Sequence, residues 1–309
     1  MLDTFFALAP VFLLIAIGWA LKVLWLRDEA MWRPAEKLAY FVLIPALVVH
    51  DLYNADLASL PFSRMVIALL GSVIIVALAL LALRPLLSKL LVKGDVGFTS
   101  VFQGSIRANF FITLAAAPVL LPANGAALVI IAVAFFTVMV NIFAVLVLAR
   151  WGRDGKADLG ALIKRLATNP FIVATLVGIA VNLSTVPVPR VVDSTFALLA
   201  AAGLPLALLT AGAGLRLATV GVHLPGIFIA SLGKLLILPA VAVGLGTLLG
   251  LEASVLAMLV LFHSQPTAIT SYVLAKQMGG DHELMAGILT TQTLLAVFTV
   301  PVMLAVLAA

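Results

Sequence analysis

Phe102-Gln103-Gly104-Ser105-Ile106-Arg107-Ala108-Asn109-Phe110 places an arginine and two amides in the middle of an apolar stretch that runs from 97 to 121. A second stretch, 253 to 275, carries Phe262-His263-Ser264-Gln265-Pro266-Thr267-Ala268 at its centre. Both are too apolar for a soluble surface and too polar for a helix that meets only lipid. A charge at the bilayer centre costs about 2.5–3.5 kcal/mol on insertion scales, so such residues face protein or a wet cavity and usually serve function. Pro266 cannot donate a backbone hydrogen bond, and its ring opposes the carbonyl four residues back. An opened turn is tolerated at membrane depth only inside protein or against a cavity. If both stretches break and cross, half-helix N-termini converge, with free N–H groups and partial positive charge suited to a carboxylate.

The rest of the chain agrees with a membrane setting. Its 309 residues are 64% hydrophobic and 10% charged, against about 45–50% and about 25% in soluble domains. Ten apolar segments recur, at 4–22, 38–53, 65–84, 97–121, 125–149, 166–185, 194–215, 224–249, 253–275 and 284–307. Most have the roughly 20 residues that a helix needs to cross hydrocarbon. The second is short and contains Pro45, and short or proline-interrupted spans mark broken helices in transporters. The first segment follows Met-Leu-Asp-Thr without the basic leader and cleavage site of a signal peptide, so it reads as a retained span. There is no cysteine, which excludes disulfides, thiolate metal sites and thiol catalysis. No metal or cofactor motif is present.

The formal charge is +5. Here it reports topology rather than nucleic-acid binding. Turns after odd-numbered segments hold fourteen Lys and Arg, and turns after even-numbered segments hold only Arg64 and Arg190. Basic loops stay in the cytoplasm, so both termini are expected outside. The clusters at 27–37 and 150–165 read as solvated cytoplasmic turns. Arg107 and Lys234 are the two remaining basic residues, both inside segments, and no carboxylate lies at mid-depth.

Sliding the chain on itself by 160 residues brings Pro10 onto Pro170, Gly18 onto Gly178, Pro45 onto Pro205 and Phe102 onto Phe262. Five segments on either side of the 150–165 linker make the halves, 1–149 and 166–309, opposite in direction. Inverted repeats of this kind place a transport site at their interface near the midplane.

Several stretches resemble the auxin efflux carrier family: Pro10 to Gly18, Ile44-Pro45-Ala46-Leu47, Arg107-Ala108-Asn109, Gly233-Lys234-Leu235 with Pro239, and Gln265-Pro266-Thr267-Ala268 followed by Tyr272 and Ala275. The resemblance covers essentially the whole chain and is to the short prokaryotic members. It implies an all-α fold of ten transmembrane helices in two inverted repeats, shared with bile-acid-type symporters and sodium/proton antiporters. Helices 1, 2, 6 and 7 would form a scaffold, and helices 3–5 and 8–10 a mobile core with broken crossover helices 4 and 9. It also implies transport of malate-, malonate- or auxin-like anions, a bacterial inner membrane location and a homodimer. The plant transporters have a proline in each crossover helix, whereas none lies between Gln103 and Ala117 here. Gly104, Ser105 or an Asn109 side-chain bond would have to support the first break.

The residue readings keep two sides. Arg107 either contacts the anion or bonds to carbonyls of the broken helices. Lys234 reads as crossover support, docked on helix carbonyls, or as a second contact to the substrate. Asn109 and Gln265 have amides that both donate and accept, for substrate or for a helix neighbour. His263 is the natural proton carrier at mid-depth, or a satisfied buried histidine. Pro266 and Thr267 would line the substrate site, and Pro45 and Pro205 would kink scaffold helices. The leading expectation is a secondary transporter of small organic anions using elevator-type alternating access, with proton, sodium or no coupling. A sodium-coupled symporter of the bile-acid type and a non-transporting anion sensor are the alternatives. With no HExxH, paired Asp or Ser-based dyad, the chain does not read as an enzyme.

Overall fold

At membrane depth there is no water to satisfy backbone N–H and C=O groups, and a helix satisfies them within one segment. The computed structural model describes residues 2–57, 62–121, 125–153, 159–184, 187–221 and 223–308. Among these the secondary structure is helical, with no strand. In order the helices are α1 (Leu2–Leu24), α2 (Glu29–Leu38), α3 (Ile44–Tyr53), α4 (Phe62–Leu90), α5 (Gly94–Ile106), α6 (Phe110–Leu120), α7 (Gly125–Trp151), α8 (Leu159–Ala167), α9 (Pro170–Ser184), α10 (Arg190–Ala213), α11 (Leu224–Leu232), α12 (Leu238–Leu248), α13 (Ala253–His263), α14 (Ile269–Gln277) and α15 (His282–Ala308). Six runs are long and apolar enough to cross a membrane: α1, α4, α7, α10, α15 and the joined run Leu224–Leu248. The protein is therefore a polytopic, all-helical membrane protein.

Two joints are π-turns, each ending two residues before a proline. Ala39–Leu43 joins α2 to α3 ahead of Pro45, and Gly233–Ile237 joins α11 to α12 ahead of Pro239. The amide of Ile44 bonds to the carbonyl of Ala39, and that of Leu238 to the carbonyl of Gly233, each five residues back. A proline ring would collide with an α-helical carbonyl four residues behind it. The wider π-turn lets the helix continue past it. Pro205 lies inside α10.

The structure corrects the reading of the 27–37 cluster as a turn. Asp28 accepts the Ala30 amide at 2.9 Å and starts α2, and helix then runs without interruption to Tyr53. In the 150–165 linker, residues 154–158 lie outside the described residues, and α8 follows. Its Leu162 is buried against Ala144, Val145, Leu148 and Leu274 in a small cluster apart from the main core, so this part of the linker is packed helix.

Glycines set the closest helix approaches. Gly18 of α1 lies against the backbone of Leu209, and Gly212 of α10 against that of Ile15, with no room for a Cβ at either. Gly178 of α9 lies against Val49 and Leu52 of α3. Asn182 of α9 donates to the carbonyls of Leu52, Tyr53 and Ala55, at 3.1, 3.1 and 2.8 Å. α4 packs on α5 and α12, and α5 on α7 and α11.

Candidate functional site

The segments 97–121 and 253–275 each fall on two helices with a gap between them. Residues 107–109 separate α5 from α6, and residues 264–268 separate α13 from α14. The gaps touch, since the Asn109 amide donates to the carbonyl of Pro266 at 2.8 Å. Asn109 also caps α6, its Oδ1 accepting the Phe111 amide at 3.2 Å. Gln292 of α15 clamps both gaps. Its Nε2 donates to the carbonyl of Gly104 at 2.9 Å, and its Oε1 accepts the Thr267 amide at 2.8 Å. These bonds satisfy backbone groups that the interrupted helices leave open. Ser105 donates to the carbonyl of Val101 at 2.8 Å, and Gly233 leaves room for its side chain.

Beside the crossing lies a cavity of about 360 Å³. The first gap contributes Arg107 and Ala108 to its wall, and the second contributes Ala268, with Thr270 from α14. Tyr40 and Phe41 of the first π-turn, Asn141 of α7, Leu162 and Leu166 of α8 and Asn169 before α9 complete much of the rest. Arg107 is 6% exposed. Its Nη2 donates to the Thr270 hydroxyl at 3.2 Å, while Nη1 has no partner among the described residues. Asn169 caps α9, accepting the amides of Phe171 at 3.0 Å and Ile172 at 3.3 Å. The Tyr40 hydroxyl lies beside the Asn169 side chain. Phe110, Phe136 and Phe171 make much of the remaining wall apolar. The arrangement offers one guanidinium donor, several neutral polar groups and aromatic faces.

The other residues singled out in the sequence lie off this wall. Asn109 is occupied in capping α6. Gln265 donates to the carbonyl of Leu261 at 2.7 Å. Thr267 pairs with Ser271 at 2.9 Å. Pro266 lends its carbonyl to the crossing. His263 and Lys234 are fully buried in the core, both beside the Phe136 ring. Among the described residues no group of three or more His, Asp or Glu gathers to hold a metal.

Sequence reading overlooked Tyr40, Asn141, Asn169 and Gln292. Three of the four are polar groups whose kind is visible in the sequence but whose partners are not. Asn141 is an amide inside an apolar run, Asn169 precedes Pro170 at a helix start, and Gln292 sits in Thr290-Thr291-Gln292-Thr293 within the last segment.

Away from the cavity, Lys93 in the α4–α5 turn bonds Asp281 at 3.0 Å and Glu283 at 2.8 Å beside α15. The hydrogen bond that Lys93 donates to Glu283 raises the Lys93 pKa, and that same bond holds the Glu283 carboxyl below its usual range.

No curated protein sequence matches the chain. The family model described as membrane transport protein matches residues 3–304, and with that span covered the chain belongs to this family, the auxin efflux carriers.

Proposed function

We propose that this transporter carries small organic-acid anions by elevator-type alternating access, with Arg107 as the carboxylate-binding cation. The observation that carries the reading is the Arg107 guanidinium: buried on the cavity wall, half engaged by Thr270 and with Nη1 unpartnered among the described residues. A buried charge left unpaired is costly, and a carboxylate in the cavity would complete it with a charge-assisted bond.

Packing supports a division into scaffold and moving core. α1, α3, α9 and α10 pack mainly on one another, and α4, α5, α7 and α11–α15 form a second mutually packed group. The cavity lies where Tyr40 and Asn169 of the first group face Arg107 and Thr270 of the second. Three contacts are consistent with inverted repeats. Gly18 lies against Leu209 and Gly178 against Val49, and both 178 − 18 and 209 − 49 equal 160. Gly203 lies against Leu43, its own counterpart at that offset (203 − 43 = 160), as expected at a two-fold axis.

The experiment is counterflow in proteoliposomes preloaded with single mono- or dicarboxylates. Saturable exchange of at least one, lost in Arg107→Gln, is the expected result. Absence of exchange with every carboxylate, together with no thermal stabilisation by any of them, would sink the reading.

A further inference from the structure

His263 and Lys234 are both fully buried, and neither lines the cavity. The Ser72 hydroxyl gives its one hydrogen to the carbonyl of Leu69 at 2.8 Å. At 3.1 Å from His263 Nε2 it must therefore accept, so Nε2 carries the ring hydrogen. In the neutral ring Nδ1 then holds a lone pair, and it has no donor among the described residues. Lys234 Nζ is a donor with no acceptor among them. Nζ lies 5.9 Å from the centroid of the Phe136 ring, and the His263 ring lies 6.0 Å from it. The ammonium is close enough for its charge to act on the imidazole. An unfilled donor and an unfilled acceptor thus border the same aromatic ring.

We propose that Lys234 and His263 form a proton-binding site in the core, distinct from the cavity, that couples transport to the proton gradient. The proposal rests on the transport reading above. The pair binds one proton between two bases, carried at Lys234 Nζ or at His263 Nδ1. Releasing it breaks that N–H bond and leaves amine and imidazole neutral. Uptake re-forms an N–H bond at Nζ or at Nδ1. Among the described residues no other charged side chain acts on either. The α4 side presents Ser72, and α7 presents Phe136. Arg107 at the end of α5 is on the cavity wall, and Asp95 at its start is paired with Arg84. The core therefore changes by one charge, which balances one carboxylate held at Arg107.

Two measurements test this. The chain has four histidines. Replacing His50, His223 and His282 with Gln leaves His263 alone for nitrogen NMR in nanodiscs. From about pH 5 to pH 8 its Nδ1 signal moves in one step, and Lys234→Met removes that step. A signal that stays flat without the lysine change overturns the proposal, whatever is transported. In proteoliposomes with the membrane potential clamped at zero, labelled malonate accumulates about tenfold more per pH unit of gradient, as one coupled proton requires. The ratio returns to one in His263→Gln and Lys234→Met. Gradient-driven accumulation that persists in both variants also overturns it. If malonate and other carboxylates are not taken up at all, the transport reading fails, while the NMR result still decides whether the pair binds a proton.

Discussion

The two gaps that meet at the crossing are built by different means. The second contains Pro266, and residues 264–267 are buried. Its interruption is covalent, and no side chain caps the helix that follows. The first has no proline and is held open by hydrogen bonds: its own Asn109 cap and, from elsewhere, the carbonyl of Pro266 and the amide of Gln292. One gap is imposed by its own chemistry, and the other leans on it. The dependent gap is also the one that brings a cation to the cavity. A break held by hydrogen bonds can be adjusted as its neighbours move, whereas a proline cannot be undone.

The largest test of this contrast is Gln292→Leu. It leaves the carbonyl of Gly104 and the amide of Thr267 buried without a partner. At about 1–3 kcal/mol per unsatisfied group, denaturation in detergent should show a loss of about 2–6 kcal/mol. Wild-type stability would mean that the two gaps stand independently. Next is Arg107→Gln, which removes the charge from the cavity. Charge-assisted bonds are worth about 1.5–3 kcal/mol, so carboxylate affinity by calorimetry should fall on the order of 10- to 100-fold. Equal affinity would return Arg107 to a purely structural role. Asn109→Ala should cost about 1 kcal/mol through loss of the cap, whereas Ala268→Ser at the matching position of the proline gap should cost nothing. The reverse order would overturn the contrast.

The smallest effect lies outside the crossing, at Lys93→Met. The Glu283 carboxyl is depressed, so its contribution is present above the unfolded carboxylate pKa and fades as pH falls through the folded one. The Lys93 ammonium is raised, so its contribution is present below the unfolded pKa and fades as pH rises through the folded one. The melting temperatures of wild type and variant should differ slightly near neutrality and converge at both extremes. A difference that grows at either extreme would assign the bridge another role.

Local chemistry made both gaps readable. Pro266 and mid-span polar residues are signals that need no knowledge of neighbours, and hydropathy alone placed Arg107 at depth. Gln292 was not readable, because its bond to Gly104 spans 188 residues of sequence and a buried amide looks alike whether it clamps two helices or binds one. Tyr40 and Asn169 were missed for a related reason. Each is ordinary in its own segment and becomes part of a wall only when distant helices pack. The helical run through 29–38 was hidden by its charge, since hydropathy marks lipid contact and not helix.

The π-turns at Ala39–Leu43 and Gly233–Ile237 each hold the equivalent of one spare residue. Tyr40 and Lys234 sit inside those turns, so the spare residue sets their compass bearing. Deleting one residue from either turn would restore regular winding with the flanking helices close to their former faces, and would turn the side chains inside it to new bearings. It would also bring the proline ring back against a carbonyl. In this protein chain length at two points acts as an aiming device for the side chains within each turn, and a deletion there would misdirect Tyr40 or Lys234 without a substitution at either.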